Sequence, residues 1–404
     1  MAIKWELEEA GSGGGWDGDN EVEVSLEIAN LAADLKYEAL SFVWGPPNPT
    51  DSILCQDQRF AVRTSLMLAL KRLRLPDKPR CLWIDAICVS QDDMDERTRQ
   101  VAKMRDIYSR AQQVFMWIGY EDEALADSVV RLVELVKTAL VSDPGLAKIT
   151  GLARIMNRNI LINHEVFREH SKAALEFLRN EWFRRVWTFQ EAYLAQEAVI
   201  VCGAVEYPFF LFMALWQEMT RMSLAPPLDG MECAHTLMAT CASAMEGRLS
   251  DTPPASHERL RLSTLLRYTH RHKATDPRDR VYALIAMTQP VNCTRFIPDY
   301  GLSTTHANNK AARALIEDDG YLQILSDAQS LKHDPSLPSC VPNWQGTRRW
   351  KPLADRDRGF TPKYSMHGSL SAQPEIPLPP SADAKKLKLR GARLGRIKIG
   401  HKPP

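Results

Sequence analysis

Leu82 to Gly119 reads LWIDAICVSQDDMDERTRQVAKMRDIYSRAQQVFMWIG, two apolar runs separated by a charged segment with helical spacing. The first run, from Cys81 through Ile87, is apolar except for Asp85. That is how a strand covered on both faces reads in a parallel sheet. Asp92 or Asp93 can cap the helix that follows, in which Val101, Met104, Tyr108 and Ala111 recur at helical spacing. Val114–Phe115–Met116–Trp117–Ile118 is a second strand, closed by Gly119. A strand, a crossover helix and another strand in this order set the fold class as α/β.

The flanks extend the pattern. Tyr37 to Val43 is a short apolar strand that stops at Trp44–Gly45–Pro46–Pro47. Ser52–Cys55 and Arg59–Val62 flank Gln56–Asp57–Gln58 and predict a small hairpin, after which Thr64 can cap a helix that ends before Pro76. Residues 122 to 180 read as mainly helical, Trp182 to Ala195 as one aromatic-rich helix, and Ala198 to Cys202 as a strand. Beyond Pro208 the chain is helical again, interrupted by Pro226–Pro227 and Pro253–Pro254, with a helix start at Thr275–Asp276–Pro277. The expected architecture is an open, mostly parallel sheet with flanking helices, followed by a mainly α-helical C-terminal region. The expected boundaries are an N-terminal lead-in over 1–36, a domain over 37–205, a helical region over 206–335 and a proline-rich tail over 336–404. Lys385 to Lys402 alternates basic and apolar residues, as an edge strand does, and reads as a truncated segment of a longer chain.

Bulk properties exclude several classes. The 404 residues are 45% hydrophobic and 25% charged, with a formal net charge of +1. That charge provides no field to gather nucleic acid. The opening MAIKWELEEAGSGGG has acids where a secretory signal has lysines, and no apolar stretch is long enough for a membrane span. Eight cysteines without paired spacing point to a reduced, cytosolic protein. GSGGGW lacks the glycines and lysine of a phosphate loop. His164–Glu165 with His170 misses the zinc-protease spacing, the acidic run Asp92–Glu96 reads as a solvated helix start, and no metal is expected. His270–Arg271–His272 reads as a solvated helix end.

Three blocks in fixed order carry a family resemblance: YEALSFVWG (Tyr37–Gly45), the stretch Leu82–Gly119, and WFRRVWTFQEAYLA (Trp182–Ala195). They resemble the fungal heterokaryon-incompatibility (HET) domain, itself remotely similar to TIR domains. DPRDRVYALIAM (Asp276–Met287) and LPSCVPNW (Leu337–Trp344) resemble segments found after that domain. Val89–Ser90 stands where the family usually has Ile-Asn, and Cys340 where Trp is common. The resemblance implies a TIR/flavodoxin-like core and a cytosolic role in non-self recognition that triggers programmed cell death. It further implies self-association or another incompatibility protein as partner, no nucleic acid, no membrane span and no cofactor, with NAD as a candidate substrate.

On that resemblance Glu191, following Trp187 in W-T-F-Q-E, matches the catalytic glutamate of TIR NAD hydrolases. Nicotinamide in NAD is a cationic leaving group, so a carboxylate beneath the ribose stabilises the oxocarbenium-like transition state by charge alone. The plainer role for Glu191 is an ion pair with Arg184 or Arg185. Asp85, placed near a strand's carboxyl end, faces the crevice where open sheets bind ligands, and there it contacts a ribose or orients Arg97. Its plainer role is to accept hydrogen bonds from Ser90–Gln91. Ser41, Trp44 and Gly45 sit on the same rim, with Trp44 either stacking on a base or simply core, and Arg97 and Trp187 complete the expected substrate-binding set with Asp85. Two functions remain open: an NAD glycohydrolase, or a non-enzymatic module in which Trp182, Phe183 and Trp187 are interface or core.

Overall fold

Tyr37 to Val43 and Cys81 to Ile84 alternate little and bury both faces, so their strands sit centrally in a sheet. In the computed structural model, β3 (Glu38–Phe42) lies between β6 (Arg80–Trp83) and β7 (Val114–Gly119), and β8 (Ala198–Cys202) follows β7. These four strands are parallel to one another. The structure describes residues 2–7, 21–31, 35–119, 123–141, 164–203, 205–221, 231–249, 262–288, 296–319, 323–330 and 334–345. The glycine-rich segment 11–20, the paired prolines near 226 and 253, and the basic tail 385–402 lie outside them. The chain divides into two compact units, 1–302 and 303–404.

The sheet is less parallel than the sequence suggests. Its nine described strands run β5-β4-β2-β1-β6-β3-β7-β8-β9, where β1 is Ala2–Leu7, β2 Glu23–Ala29, β4 Asp51–Cys55, β5 Gln58–Val62 and β9 Val205–Pro208. Pairs β1–β2, β1–β6, β4–β5 and β8–β9 are antiparallel. Two-residue connections explain two of them, β4–β5 and β8–β9, since a tight turn can only reverse a strand. Gln56 and Asp57 both adopt positive φ, 50° and 64°, the geometry of a two-residue hairpin turn. The N-terminal segment, read as a lead-in, thus contributes two strands. No strand is expected there because alternation in Glu23–Ala29 is masked by charge.

Local readings shift in four places. Arg63, not Thr64, caps α1 (Thr64–Leu73), and the Thr64 hydroxyl instead donates to Asp51 at 2.7 Å. β6 stops at Trp83, and Asp85 opens a one-turn helix, α2 (Asp85–Cys88). Asp93 caps α3 (Met94–Val101), accepting from the Asp95 and Glu96 amides, and α4 (Met104–Arg110) completes the crossover. The region expected to be helical holds α5 (Glu123–Val141) and α6 (His164–Phe177). The aromatic helix divides into α7 (Glu181–Arg184) and α8 (Val186–Leu194), because Arg185 is extended and pairs with Lys273.

α9 (Phe209–Arg221), α10 (Glu232–Leu249), α11 (Leu262–Tyr268) and α12 (Asp279–Ile285) follow in the same unit. α8 packs against α10 and α12. Pro277 lies in the turn before α12 rather than at its first position. The second unit holds α13 (Thr304–Asp319), α14 (Gln323–Ser330) and a turn-rich segment in which Leu337, Val341 and Trp344 are buried.

Candidate functional site

Because β3 and β6 are parallel neighbours, their carboxyl ends open on the same edge of the sheet. Ser41 is near the end of β3, Trp44 just past it, and Asp85 just past β6. The Trp44 indole N–H donates to both Asp85 oxygens, at 3.2 and 3.1 Å. Asp85 also accepts from the Ala86 amide, and Gln91 reaches only its backbone carbonyl. The expected donors for this carboxylate, Ser90 and Gln91, are therefore replaced by Trp44, which lies 41 residues away in sequence. Arg63 covers the Trp44 ring at 5.1 Å and donates to the Gly45 carbonyl at 3.0 Å. Gly45 holds φ +74°, a value that strains any side chain even though space for a Cβ exists.

Glu191 arrives from α8 and meets this edge from one side. It is only 4% exposed and hydrogen-bonds the side chains of Ser41 and Tyr108. Ser41 in turn accepts the Trp182 indole N–H at 3.0 Å, and the Tyr108 hydroxyl donates to the Leu40 carbonyl at 3.4 Å. Arg185 donates to the Phe42 carbonyl at 2.7 Å, and its charge favours ionisation of both Asp85 and Glu191. Arg184, the other expected partner of Glu191, pairs instead with Glu181. The extended conformation of Arg185 is what sends two adjacent arginines to different places.

Burial, and then the neighbouring Asp85 charge, push the Glu191 carboxyl up to about 7. The Asp85 carboxyl is raised chiefly by burial, against the pull of Arg185 and Trp44. Tyr108 is held neutral by burial and by both carboxylates. A pair of acids sharing one field titrates together, with one able to hold a proton while the other is ionised.

Arg97 and Trp187 belong to an adjoining cluster. Arg97 lies 3.7 Å from Asp276 and 3.5 Å from Asp279, with its guanidinium 3.9 Å above the Tyr300 ring. Trp187 hydrogen-bonds Asp279. The expectation that Asp85 orients Arg97 gives way to these partners, all from the 276–300 segment. His272, expected at a solvated helix end, is 1% exposed and packs edge-on against Phe189. The sequence reading did not place Tyr108 in the site and gave Arg185 only as one of two ion-pair partners for Glu191. Tyr108 occupies a helical apolar stripe and looks like core, and nothing local announces that Arg185 leaves the helix. Among the described residues, no group of three or more His, Cys, Asp or Glu side chains is placed to hold a metal.

Comparison with known proteins agrees with the three sequence blocks. Residues 37–191 match the family model described as heterokaryon incompatibility protein (HET). The chain is 27% identical to "Heterokaryon incompatibility protein 6, OR allele" of Neurospora crassa, over 92% of this chain. It spans 61% of that relative's length. No solved structure matches it. Among the described residues, no helix is long and apolar enough to cross a membrane.

Proposed function

From the match of residues 37–191 to the HET family and the likeness to a Neurospora crassa incompatibility protein, we propose that this chain acts in vegetative incompatibility and that its carboxylate pair cleaves the nicotinamide–ribose bond of NAD. The observation that carries the chemical part is the convergence of Asp85, Glu191 and Trp44 beyond the carboxyl ends of β3 and β6. Open α/β sheets bind ligands in that position. The order β6-β3-β7-β8 of the parallel strands also supports a TIR/flavodoxin-like core, because the chain adds strands first on one side of β3 and then on the other.

In this reading ionised Glu191 stabilises the positive charge that develops on the ribose as nicotinamide leaves with the bonding pair. Water then completes the ribose and releases a proton. Asp85 contacts the ribose hydroxyls, and Trp44 and Gly45 form the rim. Glu191 is 4% exposed, so the half-buried Trp44 and Asp85 are the groups that move to admit substrate. Self-association or a second incompatibility protein supplies the partner, and the death response follows loss of the dinucleotide.

The same closure favours a second reading. Glu191, Ser41 and Tyr108 are all buried, with Glu191 bonded to the other two, as a structural knot would be. The protein would then act as a non-enzymatic module that recruits a downstream effector. NAD consumption by the assembled, purified chain, beside Glu191→Ala, separates the two. Consumption lost in the variant supports the enzyme. Equal consumption by both proteins removes Glu191 from the mechanism, while absence from both refutes the enzyme, and growth arrest on expression of such an inactive chain then supports the module.

A further inference from the structure

The cluster around Asp279 has no part in the chemistry above, yet it touches the helix that carries Glu191. α8 runs from Val186 to Leu194, and Trp187 and Glu191 are four residues apart on it. Four residues turn an α-helix by about 400°, so the two side chains lie within about 40° of one another, roughly 6 Å apart along the axis. Whatever fixes the direction of Trp187 therefore fixes the direction of Glu191.

Asp279 does this with both oxygens engaged. Oδ1 accepts the Tyr300 hydroxyl proton at 2.5 Å, Oδ2 faces Arg97 at 3.5 Å, and the carboxylate takes the Trp187 hydrogen bond. The residue is 4% exposed, so each of these bonds forms out of competition with water. Its supports are themselves anchored. The Tyr300 amide donates to Thr98 of α3 at 3.2 Å, and Arg278 donates to the Tyr300 and Leu302 carbonyls. Arg278 is locked to Asp276 through its Nε and Nη2, at 2.9 and 2.6 Å. Arg105 of α4 reaches the Ala286 and Thr288 carbonyls at the end of α12. Residues 276–288 and 296–302 thus form a clasp that spans α3, α4 and α8, from outside the 37–191 segment matched by the family model.

We propose that Asp279 is a positioning residue for the Glu191 site: by accepting the Trp187 indole proton, it sets the roll of α8 and so directs Glu191 at Ser41 and Tyr108. The assignment of NAD as substrate rests on the reading above; the mechanical coupling does not. The natural reporter is Trp182, whose indole N–H donates to Ser41, the next group in line after Glu191.

The test uses the indole signals of the full-length chain in a proton–nitrogen correlation spectrum, assigned by single Trp→Phe replacements. Asp279→Ala is expected to move both the Trp187 and the distant Trp182 signals. It should also lower kcat for NAD consumption about tenfold while KM changes by less than about twofold. Asp279→Asn restores both, because its amide oxygen takes the indole proton while its amino group donates to the Tyr300 oxygen. Should Asp279→Ala fail to fold, Trp187→Phe decides, since it keeps the ring and removes the donor. A Trp182 signal that stays in place in folded Asp279→Ala or in Trp187→Phe overturns the proposal. A wild-type chain that consumes no NAD, but whose Trp182 signal still answers to Asp279, upholds the positioning role and refutes the substrate.

Discussion

Replacing Glu191 by Gln keeps the shape of the side chain and removes its proton equilibrium. The amide can accept from the Ser41 hydroxyl and donate to the Tyr108 oxygen, as the protonated acid does. Burial and the Asp85 charge raise this carboxyl from an ordinary 4.5 to about 7. Between those values the folded protein holds a proton that the unfolded chain has released. The wild-type protein therefore loses stability as pH rises from about 4.5, and the loss is complete above about 7. The gap corresponds to about 3 kcal/mol. Gln has no such penalty, so Glu191→Gln should be more stable than wild type at pH 8 by about that amount, and nearly equal to it at pH 4.5. Urea unfolding of both proteins at several pH values between 5 and 8 measures the difference directly. A stability gap that is constant with pH, or that turns against the variant as pH rises, would show that the carboxylate is not buried beside Asp85 as described. Loss of NAD consumption in a variant that has become more stable would mark a group retained for function at the expense of the fold.

Two further outcomes follow from the same geometry. Trp182→Phe removes the indole donor to buried Ser41 while keeping most of the ring, and should cost about 1–2 kcal/mol in urea unfolding, with no change sinking the assignment of that bond. Burial holds the His272 imidazole down near 3, against the pull of a hydrogen bond to the Thr269 backbone. It contributes stability that is present above about 6.5 and lost as pH falls, at about 1.4 kcal/mol for each pH unit. His272→Phe should flatten that acid limb, and a limb of unchanged slope would mean that the imidazole reaches water.

The central strands were legible in the sequence because a segment buried on both faces has to be apolar along its whole length, as Tyr37–Val43 and Val114–Ile118 are. The Asp93 cap, on the amides of Asp95 and Glu96, and the hairpin followed from residues that act on their immediate neighbours, whereas the expected Thr64 cap gave way to a bond with Asp51. The three blocks also carried the resemblance to the HET domain, and with it Ser41, Trp44, Asp85 and Glu191 as residues of interest. What the sequence could not decide was which of these side chains hold one another. Trp44 and Asp85 are 41 positions apart, Ser41 and Trp182 are 141 apart, and Arg97 finds its acids near 279. Hydrogen bonds of that reach are set by strand order and helix packing, which bring distant segments to one edge of a sheet. The break at Arg185 is of the same kind. Local propensity favours a continuous helix there, and only pairing with Lys273 holds the residue extended and turns its guanidinium toward the two carboxylates.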